Sequence, residues 1–491
     1  MSEPSLYDEV PYPGRAFAQT HPDRLATMAT LYGLDPAPPS SCRMLELGCG
    51  DGGNLLPMAL GLPGSTFVGI DVAPGAIERA RSLADDLDLE NISFELLGIE
   101  DYEAPPGSFD YVIAHGVYSW VPEHVRDDLM AICSRLLSEQ GVAYVSYNSM
   151  PGHRTRQTLR DMLAFALEGI DEPAERMASA RRLLAEACEV WPAGEGLQTT
   201  IGGQAQMLLA HGDALFFHDT LSPINKAPYF KEFAAHAAAH GLRYLAEAEY
   251  TEMQYGALPE ELRLRLAQID DVVEREQLVD FIKQRMFRQT LLCHAAVAPD
   301  EQPRPERLRG MAAAGSIEWE VVDADAGRFA FTSGAGVRLE TDHPLLVVAL
   351  QRIGARWPAS VWLEDLAGGD DASDEARAVI CEAMLPCFAA NLVRLHVHPP
   401  MPSVAPGPHP RASPLARLQA HERAWVTTLR HTSIRLEDEL GRLLVALLDG
   451  TRDRAKLLED LGRATNGTYP ELERDLDRSL ATLGRVALLI D

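Results

Sequence analysis

Positive charge is scarce in this chain. Its 44 Lys and Arg stand against 72 Asp and Glu, a net charge of −28 over 491 residues. So acidic a surface repels phosphate backbones and anionic lipid, which argues against nucleic acid or a membrane as the main partner. Cysteine is sparse too. Cys42, Cys49, Cys133, Cys188, Cys293, Cys381 and Cys387 are scattered, with no C-x-x-C pair and no Cys/His cluster of zinc spacing. Reduced thiols in a cytoplasmic protein are the simplest expectation, and no metal site is expected. No apolar run approaches the roughly 20 residues that cross a bilayer, so no membrane insertion is expected. The opening MSEPSLYDEVPYPGR has no basic stretch followed by an apolar one and does not read as a secretory signal.

What is present is ordinary globular material, 46% hydrophobic and 24% charged, in a chain too long for one core. About three to four domains are expected. From Arg43 to Asn148, short β-branched runs alternate with helical patterns. MLEL (44–47), TFVGID (66–71), ISFELL (92–97), FDYVIAHG (109–116) and VAYVSYN (142–148) read as strands. GAIERARSLADDL (75–87) and EHVRDDLMAICSRLLSE (123–139) repeat apolar residues at three and four, as amphipathic helices do. The alternation implies an α/β fold, a parallel Rossmann-like sheet with helices on both faces and ligands beyond the C-terminal strand ends.

Ahead of the sheet, Thr20 reads as the N-cap of RLATMATLYGL, with Asp23 as a capping carboxylate and Pro22 in the first turn. That helix covers one edge of the sheet or forms a lid over the ligand. Residues 152–225 read as a helical insertion above the site. PYFKEFAAHAAAHG and LRYLAEAEY (228–250) then return to the sheet, which is expected to finish near 214–256. Residues 340–398 and 430–491 repeat the order helix, short helix, longer helix, strand, so the modules 301–398 and 415–491 look like winged helices. Between them 399–414 holds seven prolines and reads as a semi-rigid linker. The candidate recognition helices carry Asp374, Glu375, Glu382, Glu471, Glu473, Asp475 and Asp477, so contact with protein is expected rather than DNA.

The chemistry sits in LELGCGDGGN (45–54). Gly48 and Gly50 let the turn after the first strand approach a ligand without a Cβ, and the following helix points its amides there. Gly48, Gly50 and Gly53 also satisfy G-x-G-x-x-G, with Asp71 at a ribose-binding distance, so this motif alone leaves a dinucleotide open. Three further features turn the reading toward S-adenosylmethionine. Glu46 places a carboxylate near a cationic methionine amine. Asp71 and Val72 lead into a helix ending Ala-Arg. Ile99 and Glu100 follow the third strand, placed to flank adenine. Cys49, Asp51, Ala114 and His115 complete the expected cofactor contacts. Pro57 should bend or shorten the helix after the glycines.

On the acceptor side, Tyr118 and Trp120 either line the site or pack under the next helix, and His115 is either a base or a backbone neighbour. Tyr147 and Asn148 end the fifth strand, where Asn148 could accept from an amine during methylation. Tyr118, Asn148 and Tyr147 are the candidate catalytic residues. Methyl transfer from a sulfonium is an in-line displacement, so positioning supplies most of the acceleration. A lysine acceptor, of free pKa about 10.4, must first be neutralised, at roughly 4 kcal/mol near pH 7.4.

YDEVPYPGRAFAQTHPDRLATMATLYGL, LELGCGDGGNLLPMA, AHGVYSWVP and YNSMPG together resemble bacterial methyltransferases that carry a methyltransferase regulatory domain. FFHDTLSPINKAPYFKEFAAHAAAHGLRYLAEAEY and DFIKQRMFRQTLLC (280–293) resemble that regulatory region itself. The likeness covers residues 5 to about 300. It implies a seven-stranded methyltransferase core (1–151), the insertion (152–225), and a region (226–300) that ends the core and carries the regulatory part. The resemblance also implies S-adenosylmethionine as cofactor, a protein lysine as acceptor and a homodimer. Three functional readings stand at this point: a protein lysine methyltransferase, a methyltransferase for a small molecule or another acceptor, and a cofactor-binding regulatory protein without turnover.

Overall fold

The computed structural model describes residue 12 and residues 14–191, 196–465 and 472–490. Most of the N-terminal stretch read above, and Glu471, lie outside them. The strands are β1 (Arg43–Leu47), β2 (Thr66–Asp71), β3 (Ile92–Leu96), β4 (Phe109–Ala114), β5 (Leu137–Asn148), β6 (Leu242–Glu247) and β7 (Phe287–His294). They form one seven-stranded sheet in the order β3-β2-β1-β4-β5-β7-β6. β1 to β5 pair in parallel, and β7 runs antiparallel to both β5 and β6. β4 is buried at every residue, as a strand covered on both faces must be. The strand order reverses between β1 and β4, which opens a crevice at their C-terminal ends.

The sheet does not finish near 256. Its last strand is Phe287–His294, reached through the helices Glu260–Leu266 and Val272–Lys283. Arg288, in the middle of this strand's polar run with Gln289 and Thr290, is fully buried. Its guanidinium donates to both oxygens of Asp280 at 2.8 Å and to Glu247 at 2.5 Å and Glu276 at 3.1 Å. Three carboxylates from two elements thus hold β7 in place. Breaking such a buried set costs about 3–5 kcal/mol.

The helix Pro22–Leu31 is capped by His21, whose Nδ1 accepts from the Asp23 amide at 3.2 Å, and not by Thr20. Thr20 ends a preceding 3₁₀ turn and donates to Phe17 O at 2.8 Å. Asp23 faces the other way, accepting from His396 Nδ1 and the His398 amide, each at 2.7 Å. Nine of the helix's ten residues are buried, so it is a core element and not a lid. Pro57 falls in the first turn of the short helix Leu55–Gly61, where its missing N–H would have had no intrahelical partner.

The insertion has the helices Arg154–Ala166, Pro173–Val190, Leu197–Leu209 and Asp213–Phe216, the last continuing as a π-helical turn, Phe217–Leu221. It packs around its own core of Leu159, Leu163, Leu184, Leu208 and Phe216. Farther on, the strands Ala312–Ala314, Val361–Trp362 and Arg394–His396 form a small sheet beside the helices Pro344–Arg356, Leu363–Ala367 and Asp374–Ala389. The order is that of a winged helix, with an antiparallel three-stranded sheet (317–341) inserted that the sequence did not suggest. Its core is continuous with that of the large sheet, and Tyr250 stacks on Phe388 at 5.1 Å. The C-terminal winged helix has the helices Pro414–Glu422, Glu439–Leu447, Arg454–Ala464 and Leu472–Arg485 and a hairpin of Trp425–Thr427 with Ser433–Arg435. The proline-rich segment lies against it, Ser403 N donating to Leu489 O and Arg454 to Gly407 O.

Candidate functional site

A cavity of about 720 Å³ opens at the C-terminal ends of the parallel strands. Glu46, Gly48, Cys49, Gly50, Asp51, Gly53, Asp71, Val72, Ile99, Glu100, His115 and Asn148, all expected from sequence, line it together. Ala114, Tyr118 and Tyr147 do not.

The β1 loop is shaped by contacts that need glycine. Gly48 has φ +74°, and a Cβ there would lie 2.7 Å from Val117. A Cβ on Gly53 would sit 2.5–2.8 Å from the backbone of Gly14 and Arg15, because the strand-like strap before the first helix crosses directly over the loop. That strap supplies Tyr12, Gly14, Arg15 and Phe17 to the cavity wall. Gly48 and Cys49 donate to Ile70 O at 2.9 and 3.0 Å, tying the loop to β2. Asp71 accepts from Gly50 N at 2.8 Å and Ala73 N at 2.9 Å, so its carboxylate is set at the mouth of the crevice by two backbone amides.

Glu46 is nearly inaccessible. Its Oε1 accepts from Asn54 Nδ2 at 2.7 Å, while Oε2 is buried without a partner. Burial pushes its carboxyl up to about 8; the Asn54 bond opposes the shift and Asp71 adds to it. An orphaned buried oxygen on a cavity wall is costly unless a ligand cation or donor meets it. The amino group of S-adenosylmethionine is such a partner, and the set of Glu46, the glycine loop and Asp71 fits this cofactor.

His115 Nδ1 lies 3.0 Å from Tyr144 OH and 3.2 Å from Ser146 Oγ, and its ring packs on Phe17 at 4.0 Å. Burial lowers its pKa to about 4, so the ring is neutral at pH 7. The two hydroxyls occupy Nδ1, so Nε2 is the ring nitrogen left to the cavity, and a ring held this far below the usual histidine range is a weak proton acceptor.

Two of the three catalytic candidates do not line the cavity. Tyr118 is buried away from the cavity. Its hydroxyl meets His236 Nδ1 at 2.8 Å, and His236 in turn meets Asp127 at 2.8 Å. Tyr147 stacks on Phe233 at 4.0 Å and its hydroxyl lies 3.2 Å from Thr290. Neighbours on a strand face opposite sides, so Tyr147 and Asn148 could not both reach the rim. Ala114 likewise ends β4 facing the core, with His115 taking the cavity side. Trp120, for which the next helix was the alternative, lines the cavity instead.

Asn148 ends β5. Its Nδ2 donates to Asn225 Oδ1 at 3.2 Å, and Asn225 lies 3.3 Å from His153 Nε2. One Nδ2 hydrogen is committed to Asn225, which leaves Oδ1 as the acceptor this side chain can offer to the cavity, beside its second N–H. The insertion contributes Arg156, His218 and Asp219, none of them singled out from sequence, and Met286 and Phe287 come from the start of β7. Asp219 lies on the π-helical turn, a local irregularity that often marks a functional position. Burial raises its carboxyl to about 6, against the pull of Arg156 and Arg160. Buried Arg160 pins that turn by donating to Asp219 O at 2.7 Å and Ser222 O at 2.5 Å, with its guanidinium 5.5 Å from the Trp120 ring. The aromatic-flanked HD of FFHDTLSP was the only local signal for Asp219.

Sheet order, glycine loop and orphaned carboxylate define a class: a methyltransferase of the S-adenosylmethionine-dependent, Rossmann-like type. Residues 39–186 match a family described as a methyltransferase domain, 212–294 a predicted methyltransferase regulatory domain, and 409–480 the PKMT C-terminal winged helix domain. An uncharacterized protein of Rickettsia prowazekii is 34% identical over 232 residues, 46% of this chain and 91% of that protein. The chain belongs to that family, the methyltransferases that carry a regulatory domain. A second R. prowazekii protein is 40% identical over 299 residues, 60% of this chain. The chain spans about half (53%) of that longer relative. Among solved structures, PKMT2 from Rickettsia typhi matches with a TM-score of 0.87 at 25% identity, over 98% of this chain and 100% of that one, and the same protein is known in complex with AdoHcy. Among the described residues no helix is long and apolar enough to cross a membrane.

Proposed function

We propose that this protein transfers a methyl group from S-adenosylmethionine to the side-chain amine of a lysine in a protein substrate. The observation that carries the reading is the extent of the likeness to PKMT2, which takes in the insertion and both C-terminal modules as well as the core. Relatives named for small-molecule acceptors match over shorter stretches, such as a trans-aconitate 2-methyltransferase at 30% identity over 125 residues, 26% of this chain. The acceptor end of the cavity supports the same reading. Asn148 Oδ1 and the Asp219 carboxyl offer an amine two acceptors, while Trp120, Met286 and Phe287 present apolar surface to the stem of a long side chain.

The cofactor, when bound, would supply a methyl group on a sulfonium; a neutral amine, its extra proton lost to solvent, would attack that carbon as the carbon–sulfur bond breaks and the neutral thioether leaves. This chain's residues orient and desolvate the amine. Asp219 receives it as an ammonium, and the apolar wall favours its neutral form. Neutral His115 is not needed as a base. The partner is then a protein and the compartment the cytoplasm. The exposed Phe165, Val190, Leu197 and Met207 of the insertion suit a homodimer contact. Incubation of the full chain and methyl-tritiated cofactor with cell fractions, followed by acid hydrolysis, should release labelled methyl-lysine. Label recovered only in small molecules or in another residue would refute the lysine reading.

A further inference from the structure

The hairpin of the C-terminal winged helix reaches back, across more than 370 residues of sequence, to the glycine loop of the methyltransferase core. Its stem holds the strap over the cavity: Trp425 lies under the Arg15 guanidinium at 4.3 Å, and Ser433 Oγ accepts from Ala16 N at 3.4 Å. Its tip, Thr428–Thr432, is closed by Thr428 N donating to Thr432 O at 2.8 Å and by the two threonine hydroxyls at 2.7 Å. Arg430 anchors the tip to the first winged module, donating to Pro358 O at 2.9 Å and lying 3.3 Å from His396. Next to it, His431 adopts φ +54°, a conformation few non-glycine residues take. It is 5% exposed, and its Nε2 lies 2.9 Å from Asn54 Oδ1.

Asn54 is the last residue of the motif LELGCGDGGN, and its amide is saturated. Oδ1 accepts from Phe17 N at 3.1 Å and from His431 Nε2. Nδ2 donates to Glu46 Oε1 at 2.7 Å and to Thr20 Oγ1 at 2.9 Å, the Thr20 proton being spent on Phe17 O. These four bonds are all that a carboxamide can make, and the Phe17 N–H fixes which end is oxygen. His431 must therefore donate, which leaves its buried Nδ1 as a lone pair without a partner. Turning the Asn54 amide would break the bond that holds Glu46.

We propose that His431 is a positioning residue of the cofactor site: its Nε2–H locks the Asn54 amide, which holds Glu46 with its free oxygen toward the cofactor amine. The C-terminal winged helix thereby completes the cofactor pocket of the core, a task that needs no basic recognition helix. This inference rests on the cofactor reading above.

The test is calorimetry with S-adenosylhomocysteine on the full chain. His431→Asn accepts the positive φ but is too short to reach Asn54, and His431→Gly keeps the turn if the first variant fails to fold. Either should bind about tenfold more weakly. His431→Gln places an amide N–H near the imidazole Nε2 position and should stay within threefold of wild type. In a Glu46→Gln background the His431→Asn loss should largely disappear, because the pathway runs through that carboxylate; a general effect on stability would add in full. Binding of both short variants within twofold of wild type, or a loss that persists in the Glu46→Gln background, would overturn the proposal. A wild-type chain that fails to bind S-adenosylhomocysteine would remove the cofactor reading and this inference with it.

Discussion

Pairing a cationic amine with Glu46 requires the carboxylate, yet burial holds its carboxyl up to about 8 in the unliganded chain. At pH 7 the group is then about nine-tenths protonated, and each further unit of acid costs about 1.4 kcal/mol, a factor of ten, in ionising it for the ligand. The affinity for S-adenosylhomocysteine should weaken about fiftyfold between pH 8, where half of the groups are already ionised, and pH 6. Close to one proton should be released per ligand bound at the acid end. His115, held at about 4, and His431, driven well below its usual range, do not titrate in this window. Asp219, at about 6, contributes only at the acid end. In Glu46→Gln both the slope and the proton release should vanish. Titration calorimetry in two buffers of different ionisation enthalpy reads both quantities. The same shift affects stability. A carboxyl whose pKa is higher in the folded than in the unfolded state, where it is near 4.5, makes the unliganded chain less stable as pH rises from about 4.5 to 8. Ligand-induced gain in Tm should therefore be larger at pH 8 than at pH 6. A wild-type affinity that is flat from pH 6 to 8, or an unchanged slope in Glu46→Gln, would refute the assignment of Glu46 to the cofactor amine.

Asp71→Ala removes the acceptor of the Gly50 and Ala73 amides together with the expected ribose contacts. Affinity for S-adenosylhomocysteine should fall by about 2–4 kcal/mol, charge-assisted bonds being worth about 1.5–3 each; unchanged calorimetry, or binding of NAD in its place, would refute the cofactor assignment. Tyr118→Phe should leave kcat within twofold, since the hydroxyl serves His236 and not the cavity. It should lower stability by about 1 kcal/mol in a thermal melt, and a tenfold loss of kcat would restore Tyr118 to the active site.

The sequence by itself determined the five parallel strands of the core sheet and the cofactor half of the site. The β-branched runs, the helix periods and the glycine spacing are local, and local chemistry put Glu46, Gly50, Asp71 and Glu100 at successive strand ends. The first winged module was legible for the same reason, as an order of helices and a strand. Tertiary structure alone decided what depends on facing and on distant partners. Tyr118 and Tyr147 had the right chemistry and the wrong side, a matter of strand alternation and of the helix Phe230–Ala239 that packs over them. β7 carries a buried arginine whose partners Asp280, Glu276 and Glu247 come from two other elements, so nothing local marked 287–294 as the last core strand. Asp219 reached the cavity only because Arg160 pins a π-helical turn. Asp23 looked like a helix cap and serves instead as the partner of His396. His431, remote in sequence from Asn54, joins the site only through the folding of the C-terminal module onto the core. Sequence patterns report a residue's own element, whereas hydrogen bonds between elements form only once the elements are packed.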